Sequence, residues 1–246
     1  MKAMILAAGM GTRLKNETKF KPKALVQIGD KPLLQHIIEK LINEGINEIV
    51  INVHHFPEMI KSFLNKHQYG IPIKISDESI KLLDTGGGLK KASSLLKGSG
   101  PVLIYNVDIL SNININKVLK EHTESNSLAT LVVRNRQSSR CFKFDQNKRL
   151  IAWINKDSGE MKISDPRNLS NTIEMSFSGI HITDPEIFSL MPENEVFSII
   201  DVYVELAKKY PVKGYYDDSE LWMDVGTQEK LEEARKKILS GRLFPE

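Results

Sequence analysis

Residues 4–14 read Met-Ile-Leu-Ala-Ala-Gly-Met-Gly-Thr-Arg-Leu, an apolar run entering a glycine loop that ends in arginine, and Lys15, Lys19, Lys21 and Lys23 follow. Glycines at 9 and 11 let backbone N–H groups approach an anion without a Cβ in the way, while Arg13 and the lysines supply the charge that consecutive phosphates demand. A basic surface turn would share part of this composition, so the pattern is tested against known phosphate loops. A dinucleotide fingerprint needs Gly or Ala where Leu14 stands, and a P-loop needs Gly-Lys-Ser/Thr where Leu14, Lys15 and Asn16 stand. Neither fits. What remains is a loop that meets phosphates with Gly-x-Gly-Thr-Arg and then brings up lysine from a second segment.

Two aspartates invite a metal reading. Asp108 follows the apolar run Val102–Val107, and Asp224 lies in Trp-Met-Asp-Val-Gly. Spacing alone does not pair them, and Asp224 would serve equally well to cap a helix starting near Thr227. In Asp84-Thr85-Gly86-Gly87-Gly88, Asp or Thr suits a helix N-cap, but three glycines exceed what a cap needs. His54 and His55 are adjacent, a poor spacing for sharing one metal, and are read as structural or solvent-facing.

These residues must be positioned by an α/β frame. Apolar runs suited to strands (Lys2–Ala7, Ala24–Ile28, Glu48–Val53, Ile71–Ile75, Val102–Val107) alternate with helical patterns opened by Pro32 and Pro57 and one over Gly87–Leu96. Leu33, Ile37 and Leu41 form a core stripe on the first helix. The alternation predicts a Rossmann-like, mostly parallel twisted sheet with helices on both faces, in which ligands bind beyond the carboxyl ends of the strands. The glycine loop and Asp108 both fall at such ends. Around residue 135 the rhythm changes: Arg140–Asp145 and Arg149–Ile154 flank Gln146-Asn147-Lys148 as a β-hairpin, so 136–172 is read as an insertion or flap in a single domain spanning 1–246. Beyond it come a strand at Ile173–Ile182, helices near Pro185–Leu190 and Phe197–Lys209, a strand at Val212–Tyr216 and a last helix after Gly226.

The 246 residues suffice for a substantial core, and 34 Lys plus Arg against 31 Asp plus Glu leave the basic charge local, arguing against a general nucleic-acid surface. Cys141 is the only cysteine, which excludes an internal disulfide framework and a cysteine metal cluster. The run Ala3–Ala8 is too short for a signal-peptide core, and no stretch approaches a membrane span. The chain is expected to be cytoplasmic.

Six blocks then occur in an order that resembles the sugar-1-phosphate nucleotidylyltransferases: A-A-G-M-G-T-R-L at 7–14, K-P-K-A-L-V at 21–26, L-D-T-G-G-G-L-K at 83–90, N-V-D at 106–108, F-S-G-I at 177–180 and W-M-D-V-G-T at 222–227. Within that family the chain is most similar to N-acetylmuramate 1-phosphate uridylyltransferases and to mannose or heptose 1-phosphate guanylyltransferases. The resemblance implies nucleotidyl transfer from a nucleoside triphosphate to a sugar 1-phosphate, with UTP favoured over GTP. It implies Mg²⁺ on Asp108 and Asp224, Arg13 and Lys23 at the reacting phosphates, and nucleotide contacts from Ala8, Gly9, Gly11, Thr12, Asp84, Thr85, Gly86 and Gly87. It also implies sugar contacts from Phe177, Ser178 and Gly179. The family often has glutamate or glycine where Asp84 stands, and glycine where Val107 stands. A phosphocholine cytidylyltransferase, marked by an aromatic cation box, and a catalytically silent nucleotide-sugar sensor are the alternatives.

Overall fold

The computed structural model describes residues 1–98 and 100–239 and divides into two compact units, one formed by residues 1–82, 105–113 and 219 onward, the other by residues 83–104 and 114–218. In the first unit β1 (Lys2–Leu6), β4 (Glu48–Val53) and β5 (Ile73–Asp77) run parallel, with Leu6 opposite Asn52 and Asn52 opposite Ser76. β1 and β4 are near-continuous apolar runs because the strands of a parallel sheet are covered on both faces; Ala3, Met4, Ile5, Val50 and Ile51 are fully buried. The last residues of β6 (Val102–Asn106) flank β1 on its other side, and the Val107 amide donates to the Leu6 carbonyl at 3.2 Å.

Between β1 and β4 the chain forms 3₁₀ turns at Thr12–Thr18 and Lys23–Leu25, then the two-residue strands β2 (Gln27–Ile28) and β3 (Lys31–Pro32). The extended piece expected over Ala24–Ile28 is therefore a strand only in its last two residues, because Val26 N donates to the Lys23 carbonyl and closes a turn first. Helix α1 (Leu33–Asn43) buries Leu33, Leu34, Ile37, Ile38 and Leu41, the expected stripe, and α2 (Pro57–Asn65) starts on proline, whose fixed φ suits the first helical turn. β7 (Ile109–Ser111) pairs antiparallel with β14 (Trp222–Asp224), after which α7 (Gln228–Leu239) closes the unit. Arg235 on α7 donates to Glu17 and to the Gln27 carbonyl, fastening the helix to the segment behind the glycine loop.

The second unit carries the antiparallel strands. β9 (Arg140–Phe144) and β10 (Leu150–Asn155) form the expected hairpin, β11 (Glu160–Ile163) extends it, and β12 (Ile173–Thr183) joins β9 to β8 (Ala129–Arg134). β13 (Val212–Tyr216) adds in parallel to β8. Around these strands lie α3 (Asp84–Leu96), α4 (Ile115–Glu124), α5 (Ile187–Leu190) and α6 (Ile199–Leu206). Among the described residues no helix is long and apolar enough to cross a membrane.

Candidate active site

The glycine loop begins where β1 ends. Gly11 has φ +65°, a left-handed conformation in which L side chains are strained, and a Cβ there would lie 2.9 Å from Thr18 Cγ2 and 3.0 Å from Lys23 Cβ. Glycine is thus required twice over, by conformation and by the approach of Lys23. Thr18 Oγ1 and the Leu14 amide both donate to the Gly11 carbonyl, turning the loop back on itself. Ala8 is buried, whereas Gly9, Thr12 and Arg13 are exposed at the rim.

The basic run resolves into unequal parts. Lys15 and Lys19 are exposed, and Lys21 forms a long ion pair with Glu17 at 3.5 Å. Lys23 is only 7% exposed and its ammonium is paired with Asp108. A lysine held this deep must be compensated by an opposite charge, since an unpaired buried ion is expensive.

Asp108 sits in the turn from β6 to β7, and the β7–β14 pairing closes the sequence distance to Asp224. Asp224 stands opposite Ile109, and the Val225 amide donates to the Asp108 carbonyl at 2.9 Å. Asp224 Oδ1 accepts from the Gly226 amide at 2.8 Å. A Cβ on Gly226 would lie 2.7 Å from that same oxygen and 2.8 Å from Arg13 Nη2, which puts the guanidinium beside the carboxylate. Burial raises the Asp224 pKa and the Asp108 charge raises it further, against the lowering influence of the Gly226 amide, Lys23 and Arg13. Two carboxylates and two cations therefore converge: Arg13, Lys23, Asp108 and Asp224 form one cluster in the first unit. Val107, where the family often has glycine, is buried.

Sequence reasoning passed over Asn52 and Glu78, which lie behind the loop. Asn52 Oδ1 accepts from the Ala7 amide at 2.7 Å, and its Nδ2 donates to Glu78 Oε1 at 2.8 Å. One polar residue inside the apolar strand Glu-Ile-Val-Ile-Asn-Val was the available signal. His54 Nδ1 donates to the Glu78 carbonyl, a structural use in keeping with its expected role.

The other expected nucleotide and sugar residues lie in the second unit. Asp84 is the first residue of α3 at φ +61° rather than an N-cap, and its carboxylate accepts from the Thr85 amide at 2.6 Å. Thr85 Oγ1 accepts from the Ile199 amide, and the Gly86 and Gly87 amides donate to the Phe197 carbonyl. A Cβ on Gly86 would strike the Phe197 ring at 2.4 Å, and one on Gly87 would strike the Glu195 carbonyl oxygen at 2.0 Å. The packing of α3 on residues 195–199 by itself accounts for glycine at both positions. Phe177, Ser178 and Gly179 occupy a β-bulge in β12, where the register against β8 shifts between Phe177 and His181 and Gly179 adopts φ +75°. Bulges of this kind re-aim side chains beside functional sites. Arg136 Nη2 donates to the Phe177 carbonyl at 3.0 Å, and Phe177 packs edge-on against Phe142.

A parallel α/β frame with a glycine loop and a paired-aspartate cluster at strand ends defines a nucleotide-binding α/β protein. Residues 2–241 match the model of the nucleotidyl transferase family, and the chain belongs to that family. It is 32% identical over 231 residues to the N-acetylmuramate alpha-1-phosphate uridylyltransferase of Caulobacter vibrioides, covering 91% of both chains. It is 31% identical over 235 residues to the mannose-1-phosphate guanyltransferase of Pichia angusta, where it covers 92% of this chain but 61% of that relative. In fold it is similar to a crystal structure of a putative glucose-1-phosphate thymidylyltransferase from Bacillus anthracis, with TM-score 0.81, 22% identity and coverage of 100% of this chain and 97% of that one.

Proposed function

We propose that the chain joins a nucleoside triphosphate, with UTP favoured, to a sugar 1-phosphate, giving a nucleotide sugar and pyrophosphate. The observation that carries this reading is the convergence of Arg13, Lys23, Asp108 and Asp224 at the ends of β1, β6 and β14. The sugar phosphate is largely dianionic near neutral pH, its second pKa being about 6 by analogy with phosphorylated side chains, so its oxygen needs no general base. That oxygen attacks the α-phosphorus, a new P–O bond forms, and the bond to the bridging oxygen breaks so that its electrons leave with pyrophosphate. The protein's task is to align two repelling anions and neutralise the developing charge. Backbone amides of Ala8, Gly9, Gly11 and Thr12 and the Arg13 guanidinium hold the leaving phosphates, and Lys23 supplies a fixed positive charge beside Asp108.

Asp108 and Asp224 suit Mg²⁺ as the cofactor. They offer hard oxygen donors close together at one site, where burial first and the Asp108 charge second raise the Asp224 pKa. Mg²⁺ typically takes one or two carboxylates and completes its shell with substrate phosphates and water, a demand that the pair Asp108 and Asp224 would meet. When bound, Mg²⁺ would neutralise phosphate oxygens. Asp84, Thr85, Gly86 and Gly87 are assigned to the nucleotide and Phe177, Ser178 and Gly179 to the sugar, in a single cytoplasmic catalytic domain with no nucleic-acid or membrane partner.

UTP is favoured because the Leu-Asp-Thr-Gly-Gly-Gly loop is closer to the uridylyltransferase form, with the uridylyltransferase relative 32% identical over 231 residues. The second reading, a guanylyltransferase acting on mannose or heptose 1-phosphate, is supported by several guanyltransferases near 30% identity. Retention of both aspartates, Arg13 and Lys23 argues against a silent sensor. Pyrophosphate release across four triphosphates and a panel of sugar 1-phosphates tests the assignment. One triphosphate should exceed the others by at least about tenfold, because a mismatched base edge leaves buried polar groups unpaired. Higher kcat/KM for GTP with mannose or heptose 1-phosphate than for UTP with any amino-sugar 1-phosphate would transfer the assignment to the guanylyl reading. No release with any pair would favour the sensor.

A further inference from the structure

We propose that Asn52 and Glu78 act as a positioning relay that sets the starting direction of the glycine loop and thereby the affinity for the triphosphate. β1 stops at Leu6, the last residue in register with β4, and the next amide, that of Ala7, is taken by a side chain. Asn52 is 3% exposed and Glu78 is fully buried, so this is a buried connection between the end of β5 and the mouth of β1.

The choice of residue types has a directional logic. An asparagine amide carries an acceptor on one side and donors on the other, and without a constraint it can face either way. Glu78 Oε1 is placed to accept from Nδ2 of Asn52, and with Nδ2 held there Oδ1 is turned toward the Ala7 amide. Glu78 is in turn fixed by its own backbone, its amide donating to the Val53 carbonyl at 2.7 Å while its carbonyl accepts from His54 Nδ1 and the Lys81 amide. Carboxylate burial costs free energy, and in this protein the buried Glu78 specifies one arrangement of Asn52. Here that arrangement fixes the amide one residue before Ala8 and two before Gly9. An error at this point propagates into every loop amide beyond it, and small displacements of binding groups are costly in aligned sites.

The relay rests on the phosphate-loop reading above, and its test separates the two. Triphosphate dissociation constants are measured by calorimetry for the full chain as wild type, Asn52→Leu, Asn52→Asp, Glu78→Gln, the Asn52→Asp/Glu78→Gln double variant and Arg13→Ala, together with Ala7 amide exchange by NMR. Asn52→Leu leaves the Ala7 amide without its acceptor, and affinity should fall about tenfold with faster exchange at Ala7. Asn52→Asp sets two carboxylates face to face and should fall at least as far. Glu78→Gln keeps an acceptor and should lose less than about threefold. The double variant restores acceptor toward Ala7 and donor toward position 52, and should return to within about twofold of wild type with slow Ala7 exchange. A general packing defect would not be repaired by that swap. If Arg13→Ala weakens binding but the Asn52 variants do not, or if the double variant is no better than Asn52→Asp, the relay is wrong. If Arg13→Ala also binds normally, the phosphate-loop reading itself fails.

Discussion

Replacing Lys23 by methionine removes the ammonium while keeping most of the chain length, and its consequences follow from what surrounds it. Lys23 is 7% exposed, the side chain of its partner Asp108 is 17% exposed, and Asp224 already has its pKa raised by burial and by the Asp108 charge. Losing one partner of a buried pair costs about 3–5 kcal/mol, and the lower end applies here because Asp108 retains some water contact and Arg13 remains nearby. For a chain of this size about 3 kcal/mol corresponds to a fall in Tm of roughly 6–12 °C, measured by calorimetry in EDTA. In excess Mg²⁺ the variant should recover most of that loss, since a ligand at about 100 times its Kd stabilises by about 2.7 kcal/mol, whereas the wild type should gain less because Lys23 competes for Asp108. Pyrophosphate release should not recover. A variant that melts like wild type in EDTA, or an equal Mg²⁺ shift in both proteins, would refute the charge balance drawn here.

Two further outcomes follow from buried groups. Gly226→Ala would place a methyl group 2.7 Å from Asp224 Oδ1 and 2.8 Å from Arg13 Nη2; the long arginine can swing aside but the short aspartate cannot, so turnover should fall by about 10²-fold with little change in Tm, and near-normal turnover would detach Asp224 from the reaction. His181 is wholly buried against Tyr203, and burial pushes its pKa down to about 3. The unfolded chain binds that proton below about pH 6.5 and the folded chain only near 3, so stability is full above 6.5 and falls as pH drops. Denaturant titrations should show a loss of about 3 kcal/mol between pH 6.5 and 4 that His181→Phe removes, and an unchanged pH slope in that variant would contradict it.

The candidate site of the first unit was legible because each of its parts has a local signature. A glycine loop after an apolar strand, a lysine within Lys-Pro-Lys, and aspartates beside apolar runs can all be recognised without knowing their partners. The adjacency of Asp108 and Asp224 was not legible from spacing, because it arises from pairing between the three-residue strands β7 and β14, too short to show a period. α4 and β8 fall outside the elements expected from the sequence, although Asn114 caps α4 by accepting from the Lys117 amide. Gly86 and Gly87 were readable as glycines needing a reason. The protein contact that needs them comes from Glu195 and Phe197, more than a hundred residues away, and no local rule reaches that far. The Asn52–Glu78 relay was missed for a similar reason: the strand pattern announced burial, and the partner that makes a buried asparagine affordable lies on the far side of the next strand.

Asp108 and Asp224 are proposed to act as one unit on the transferring phosphate. The most direct test of this is single-turnover pyrophosphate release in Asp108→Asn, Asp224→Asn and the double variant, at saturating Mg²⁺ and substrates, with circular dichroism to verify folding. Each single variant should lose at least about 100-fold, and the double variant should lose far less than the product of the two, because residues that serve one ion fail together. Near-normal Mg²⁺-dependent release in either single variant, or a fully multiplicative loss in the double, would contradict it.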